Sequence, residues 1–159
     1  MINNNYQKIV VRKNIIPETL DFLTKQGKKG LEGRVYWVGK EKNNKVHIKK
    51  VIIPKQIAKK TIWGVNVSVS RQANVDVTRS LKDNEFVVAK VHSHPKEAFI
   101  SKTDAKNPFF RHQGAISIIV PHFGNRGMKD LLNCGVYIYD NNEWKELAKR
   151  QIKKLFSFE

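Results

Sequence analysis

The chain has a single cysteine among its 159 residues, Cys134, so no disulfide can form within a monomer and the fold must rest on its core. In "LLNCGVYIYD" that cysteine reads as a small buried apolar residue, with nothing nearby to activate a thiolate. Long apolar runs are also missing: none approaches the roughly 18 residues of a membrane span. The opening "MINNNYQK" has no apolar core of a signal peptide, and the expectation is a soluble, cytoplasmic protein with no membrane partner. Glycine-rich phosphate-binding motifs are absent, as are zinc-finger, RNP and helix-turn-helix patterns. Acidic residues are scarce, 14 against 30 Lys and Arg, for a formal net charge of +16. Such an excess draws a protein toward acidic partners. Most of it is lysine, however, in short groups such as "KQGKKG" and "KELAKRQIKK". Lysine is a solvated point charge without the fork that reads phosphate and base edges, so a solvated surface is expected, with nucleic-acid binding as the alternative.

What is present suffices for one core: 40% of residues are hydrophobic, no repeat or low-complexity linker divides the chain, and residues 1–159 read as one domain. "YQKIVVRK" has the β-branched content of a strand. "IPETLDFLTKQGKKG" predicts an amphipathic helix opened near Pro17 and closed by Gly27 and Gly30. "LEGRVYWVGK" and "NKVHIKKVIIP" predict paired strands across "EKNN", and "WGVNVSVS" alternates as a half-exposed strand. "RQANVDVTRSLKDN" fits a helix, "EFVVAKVHSH" a strand, and "SKTDAKN" a short helix stopped by Pro108. "GAISIIVP", "CGVYIYD" and "EWKEL" follow as strands, and "LAKRQIKKLFSF" as a closing helix. Strands and helices without regular alternation imply an α+β fold, α/β/α sandwich-like. Trp37, Trp63 and Trp144 are expected to pack against the sheet. His47, His112 and His122 are expected to be surface or satisfied polar residues.

The chemistry concentrates in "VAKVHSHPKEAFISKTDAK". Residues two apart on a strand share a face, so His92 and His94 can aim at one point, a simple two-histidine metal corner. An isolated H-x-H can equally be an idle strand end. "SKTD" resembles a helix-capping box, in which Ser101 bonds the backbone and Asp104 reaches back. A capping Asp104 would not easily serve a metal as well. A metal hydrolase needs a third ligand, a base and an oxyanion donor, and the chain has a candidate for each.

"HSHP" followed by "SKTD", with Glu32 upstream at the start of "EGRVYWVG", resembles the JAB/MPN+ metalloprotease signature, also called JAMM. "GAISIIVPHFG" and "CGVYIYDNNEWKEL" resemble later strands of compact bacterial members. The resemblance implies a mixed curved sheet flanked by helices, the cytidine-deaminase-like JAB/MPN architecture. It implies that His92, His94 and Asp104 bind one zinc ion, a water completing the tetrahedron. Glu32 would be the general base on that water, and Ser101 would stabilise the oxyanion. Three departures stand out. Six residues separate His94 from Ser101 where seven are commoner, and Ile100 replaces a frequent proline. Val35 occupies a frequent glycine position, and Arg34 one where a small or apolar residue is common.

The resemblance further implies an isopeptidase or precursor-processing peptidase acting after the C-terminus of a ubiquitin-like modifier or on a conjugated target protein. The compact chain is similar to deubiquitinase-like enzymes of bacterial antiviral operons, with activating- or conjugating-enzyme-like partners. A peptidase of a sulfur-carrier protein and a basic nucleic-acid-binding or interaction module on the same fold are the alternatives.

Overall fold

The computed structural model describes residues 8–159. Tyr6 and Gln7 of the expected first strand therefore lie outside the described residues; the rest of it forms β1, Lys8–Val11. Helix α1, Ile15–Lys28, carries Glu18 in its first turn and Lys25 and Lys28 in its last, charges that complement its dipole. Gly27 lies inside the helix rather than after it, where a Cβ would collide with the Phe123 side chain, and Gly30 takes the left-handed turn at φ +70°. Strands β2, Arg34–Lys42, and β3, Lys45–Ile52, pair antiparallel. Asn43 and Asn44 join them at φ +53° and +60°, the conformations a tight two-residue hairpin turn requires.

The register of β2 shifts at Val38/Gly39, and a side chain at Gly39 would run into the His47 carbonyl. Glycine at that position lets the bulged strand lie close to its neighbour. Strand β4, Ile57–Thr61, pairs among the described residues only with β5, Gly64–Ser68, in a two-stranded sheet of its own. The lysine-rich β4 has no apolar alternation, so the sequence pattern conceals it. Helix α2, Arg71–Ser80, starts at Ser70, whose hydroxyl accepts the Ala73 N–H at 3.0 Å.

Strand β6, Phe86–Ser93, leads into the segment that carries short helix α3, Lys102–Lys106. Strands β7, Ile116–Val120, β8, Gly135–Asp140, and β9, Glu143–Glu146, follow. Helix α4, Lys149–Leu155, is shorter than expected. Phe156–Phe158 leaves it as strand β10, parallel to β1, burying Phe156. A helical stripe continued through "LFSF" hides that switch, because alternating Phe–Ser–Phe serves a strand equally well.

The main sheet runs β10-β1-β3-β2-β6-β7-β8-β9, with β6 and β7 parallel at its middle and antiparallel pairs on either side. This is the mixed α+β architecture expected. One face packs Val35, Trp37, Val91 and Ile118 against Ile15 and Leu23 of α1 and Ile152 of α4. Trp37 satisfies its indole N–H on Thr19 Oγ1 at 2.8 Å. The other face packs Tyr36, Val38 and Val87 against Val77 of α2. No helix among the described residues is long and apolar enough to cross a membrane.

That second face carries a buried cation. Lys90 lies opposite Tyr36 in the ladder, donates to the Phe109 carbonyl at 3.0 Å and sits 5.1 Å from the Trp144 ring centroid. Burial, reinforced by the Arg34 charge, pulls its pKa down to about 7. Between there and the ordinary lysine value the unfolded chain holds the extra proton, so this group makes the fold less stable as pH falls toward 7. Lys90→Met is expected to stabilise the protein at pH 7 by about 1–2 kcal/mol. Thermal melts at pH 7 and pH 10 would check this, the gain shrinking at the higher pH.

Trp63 departs from the expected packing role. It is 91% exposed beside Ile62 at the β4–β5 turn, because that hairpin stands off the main sheet and offers its tip no apolar partner. Trp37 and Trp144 do pack, the latter edge-on to Tyr139 at 5.2 Å. His112 is satisfied by contacts to the Val87 and Gln113 carbonyls. Cys134 is half-buried, and burial pushes its thiol up to about 12.

Candidate active site

The site forms where β2 begins and β6 ends. Gly33 and Ser93 extend that ladder by one step: the Ser93 N–H donates to the Gly33 carbonyl at 3.0 Å, and the Ser93 hydroxyl accepts the Gly33 N–H at 3.0 Å. The pair fixes the backbone on which Glu32 stands. Beyond the last residue of β6, the His94 N–H donates to the Val120 carbonyl at 2.9 Å and the His94 carbonyl accepts the Phe123 N–H at 2.8 Å. His94 is thus still held in an extended arrangement, and its ring turns to the same side as that of His92. The imidazoles meet with their Nε2 atoms 3.1 Å apart.

The connector from His94 to Ser101 decides whether Asp104 can join them. Its path is drawn tight against β8: a Cβ at Gly135 would collide with the Ala98 carbonyl, and the Ile100 N–H donates to the Tyr137 hydroxyl at 3.2 Å. So pinned, six residues are enough. Asp104 Oδ2 lies 3.1 Å from His92 Nε2 and 3.6 Å from His94 Nε2.

Capping and convergence prove compatible, against the expectation that Asp104 would do one or the other. The Asp104 N–H donates to Ser101 Oγ at 3.0 Å, and Oδ2 accepts the Ser101 N–H at 3.2 Å while still facing both histidines. A carboxylate oxygen has more than one lone pair, so the cap orients the group without exhausting it.

His92, His94 and Asp104 form a group whose potential ligand atoms all lie within 4.8 Å of one another. Two donors each 2.0–2.1 Å from a shared tetrahedral zinc stand about 3.3–3.4 Å apart. The observed separations of 3.1, 3.1 and 3.6 Å bracket that value, so the three residues fit such an ion. Proton placement agrees. The Glu97 carbonyl lies 3.1 Å from His94 Nδ1 and can only accept, which assigns the proton there and leaves the Nε2 lone pair free. Burial outweighs the Asp104 hydrogen bond at His92 and brings its pKa down to about 4, so that ring is neutral at physiological pH. Burial opposes protonation of His94 too, but Asp104 and Glu32 together raise it. Asp104 is itself pushed up by burial, yet the facing His92 and His94 rings and the hydrogen bond from Ser101 hold it well below the usual carboxylate range.

Glu32 is buried beside this group and outside the three-residue cluster. Burial raises its carboxyl to about 7, the nearby Asp104 charge adding to the effect while His94 and Arg34 oppose it. Glu32, His94 and Ser101 line one groove of about 690 Å³. Its far wall is β5, and Pro95 and Phe99 give it an apolar side.

All five residues singled out in the sequence therefore gather here. Sequence reasoning missed the supporting set, Gly33, Ser93 and Gly135. It noted Arg34 only as a departure, although alternation along β2 would have put that side chain on the His92 face.

No family model matches the chain. A curated protein of Sinorhizobium fredii, named a probable metalloprotease, is 28% identical over 133 residues, spanning 82% of each chain. A solution structure of a Desulfitobacterium hafniense protein superposes with a TM-score of 0.66 over 95% of this chain and 92% of that one; at 12% identity it shares the fold.

Proposed function

We propose that this chain is a zinc-dependent peptidase or isopeptidase of the JAB/MPN+ type, acting after the C-terminus of a ubiquitin-like modifier or on a protein conjugated in that way. The observation that carries the reading is convergence. Two histidines, two carboxylates and a serine, drawn from the approach to β2, the end of β6 and the cap of α3, gather in one place, and Glu32, His94 and Ser101 of the set line a groove. The name of the Sinorhizobium relative points the same way.

His92, His94 and Asp104 would hold the metal, two imidazoles and one carboxylate being a donor set that favours zinc over magnesium. Bound there, zinc would supply Lewis acidity for a carbonyl and for water. Glu32, set apart from the three ligands, would take a proton and return it to the leaving amine. A carboxyl poised near neutrality can do both. Ser101 uses its oxygen to accept from the Asp104 amide and still has a proton to give to a developing oxyanion.

The groove supports an extended substrate. β5 has only β4 as a partner among the described residues, so its other edge offers backbone groups for an added strand. Its five residues, at about 3.3 Å each, span roughly 16 Å, enough for a tail of four or five residues. The net charge of +16 would steer an acidic modifier toward it. The setting proposed is a bacterial antiviral conjugation system in the cytoplasm, alongside activating- and conjugating-enzyme-like proteins.

Incubating the zinc-loaded protein with a panel of C-terminally extended ubiquitin-like proteins tests this. Cleavage after the modifier's terminal residue is expected. Release of a single amino acid from a sulfur-carrier protein alone would reassign the substrate, and no hydrolysis of any member would reject the peptidase reading.

A further inference from the structure

The cluster contains a cation that the proposed chemistry does not use. Arg34 is 5% exposed, lies directly opposite His92 in the β2–β6 ladder and places a guanidinium nitrogen 3.5 Å from Asp104 Oδ1. The two oxygens of Asp104 are thereby divided. Oδ2 faces His92 and His94, and Oδ1 faces Arg34.

Arg34 is itself held in place. Its N–H donates to Gln56 Oε1 at 2.9 Å and its carbonyl accepts from Gln56 Nε2 at 2.9 Å, which ties β2 to the stretch leading into β4. Two residues on along β2, the Tyr36 hydroxyl donates to Asn74 of α2 at 2.6 Å. The backbone is therefore fixed while the buried guanidinium, its Nε without a hydrogen-bond partner among the described residues, faces the Asp104 carboxylate, and a planar buried guanidinium is a more directional partner for a carboxylate than a surface lysine.

We infer that Arg34 is a positioning residue that clamps Asp104 through its outer oxygen, so that this ligand presents Oδ2 alone to the metal. The inference rests on the metal-site reading above. Without the clamp, Asp104 would keep its helix cap but could rotate to offer both oxygens, and the site would bind by a different set of atoms. The clamp opposes metal binding by charge repulsion and favours it by orientation. Outer-shell partners of this kind are worth about 10- to 100-fold in metal affinity, so orientation is expected to win.

The test compares the wild-type protein with Arg34→Met and Arg34→Lys, using cobalt(II) as probe and a competing chelator to measure zinc affinity. Arg34→Met is expected to lose about 10- to 100-fold in zinc affinity. Its cobalt complex should also lose the intense visible absorption of a four-coordinate site as the second oxygen of Asp104 turns in. Arg34→Lys keeps a buried charge and should fold even where methionine does not. It is expected to recover part of both signals. An affinity and spectrum equal to wild type in a folded variant, or an affinity that rises, would overturn the clamp while leaving the metal site standing. Wild-type protein that binds neither metal would overturn both.

Discussion

Replacing Glu32 by glutamine is expected to slow peptide-bond hydrolysis by about 10²- to 10⁴-fold while leaving the bound metal in place. The amide keeps the shape and hydrogen-bonding reach of the carboxylate but cannot accept a proton at neutral pH. It also stands outside the His92, His94 and Asp104 cluster, so metal content should not change. The wild-type pH profile supplies a second signature. A base is active when deprotonated, and burial raises the Glu32 carboxyl to about 7, so activity is expected to fall as pH drops through an acid limb at or below that value. A bound cation nearby favours the carboxylate and moves the limb downward. The residual rate of Glu32→Gln should lack this limb. Metal analysis beside single-turnover cleavage from pH 5 to 9 would check both parts; a variant that cleaves at the normal rate removes Glu32 from the reaction.

Zinc is expected to raise the melting temperature of the wild-type protein and to leave His92→Gln unmoved. A ligand that binds only the folded state at 1,000 times its Kd adds about 4 kcal/mol, which for a domain of this size corresponds to roughly 10 °C. His92 is the most informative of the three ligands to replace. Its ring is neutral at pH 7, so a neutral amide alters the donor without creating or deleting a buried charge. Removing Asp104 would instead strand Arg34. Calorimetric scans with zinc, with magnesium and with chelator would separate the outcomes. Equal shifts in the variant and the wild type would place the metal elsewhere, and a response to magnesium but not zinc would contradict the imidazole-rich donor set.

The site was legible in the sequence to the extent that it depends on local geometry. Two residues apart on an extended strand, His92 and His94 share a face whatever surrounds them. Ser101 and Asp104 are likewise a local pattern. What could not be read was the non-local backbone that assembles these pieces. Ser93 looks like a spacer between histidines, yet it grips Gly33 by both its amide and its hydroxyl. Gly135 looks like a strand start, yet its missing side chain gives the connector room to lie close. The doubt over Asp104 came from treating a cap and a ligand as competing roles, when one carboxylate oxygen can accept from an amide and still face two imidazoles. In the fold, strands with apolar alternation and helices with a clear stripe stood out. β4 and β10 did not: the first is rich in lysine and half of a detached hairpin, and the second is three residues running straight on from a helix.

That detached hairpin has a consequence for how such a protein can change over generations. The ligand-bearing strand sits at the centre of an eight-stranded sheet, where nearly any substitution disturbs the core. The opposite bank of the groove belongs to Ile57–Thr61 and Gly64–Ser68, which bond mainly to each other and bury little. Segments with few buried contacts are the kind that open locally without global unfolding. Selection can therefore rewrite one bank of the groove with little penalty to the rest of the molecule, and relatives with the same reaction centre are free to diverge in what they admit.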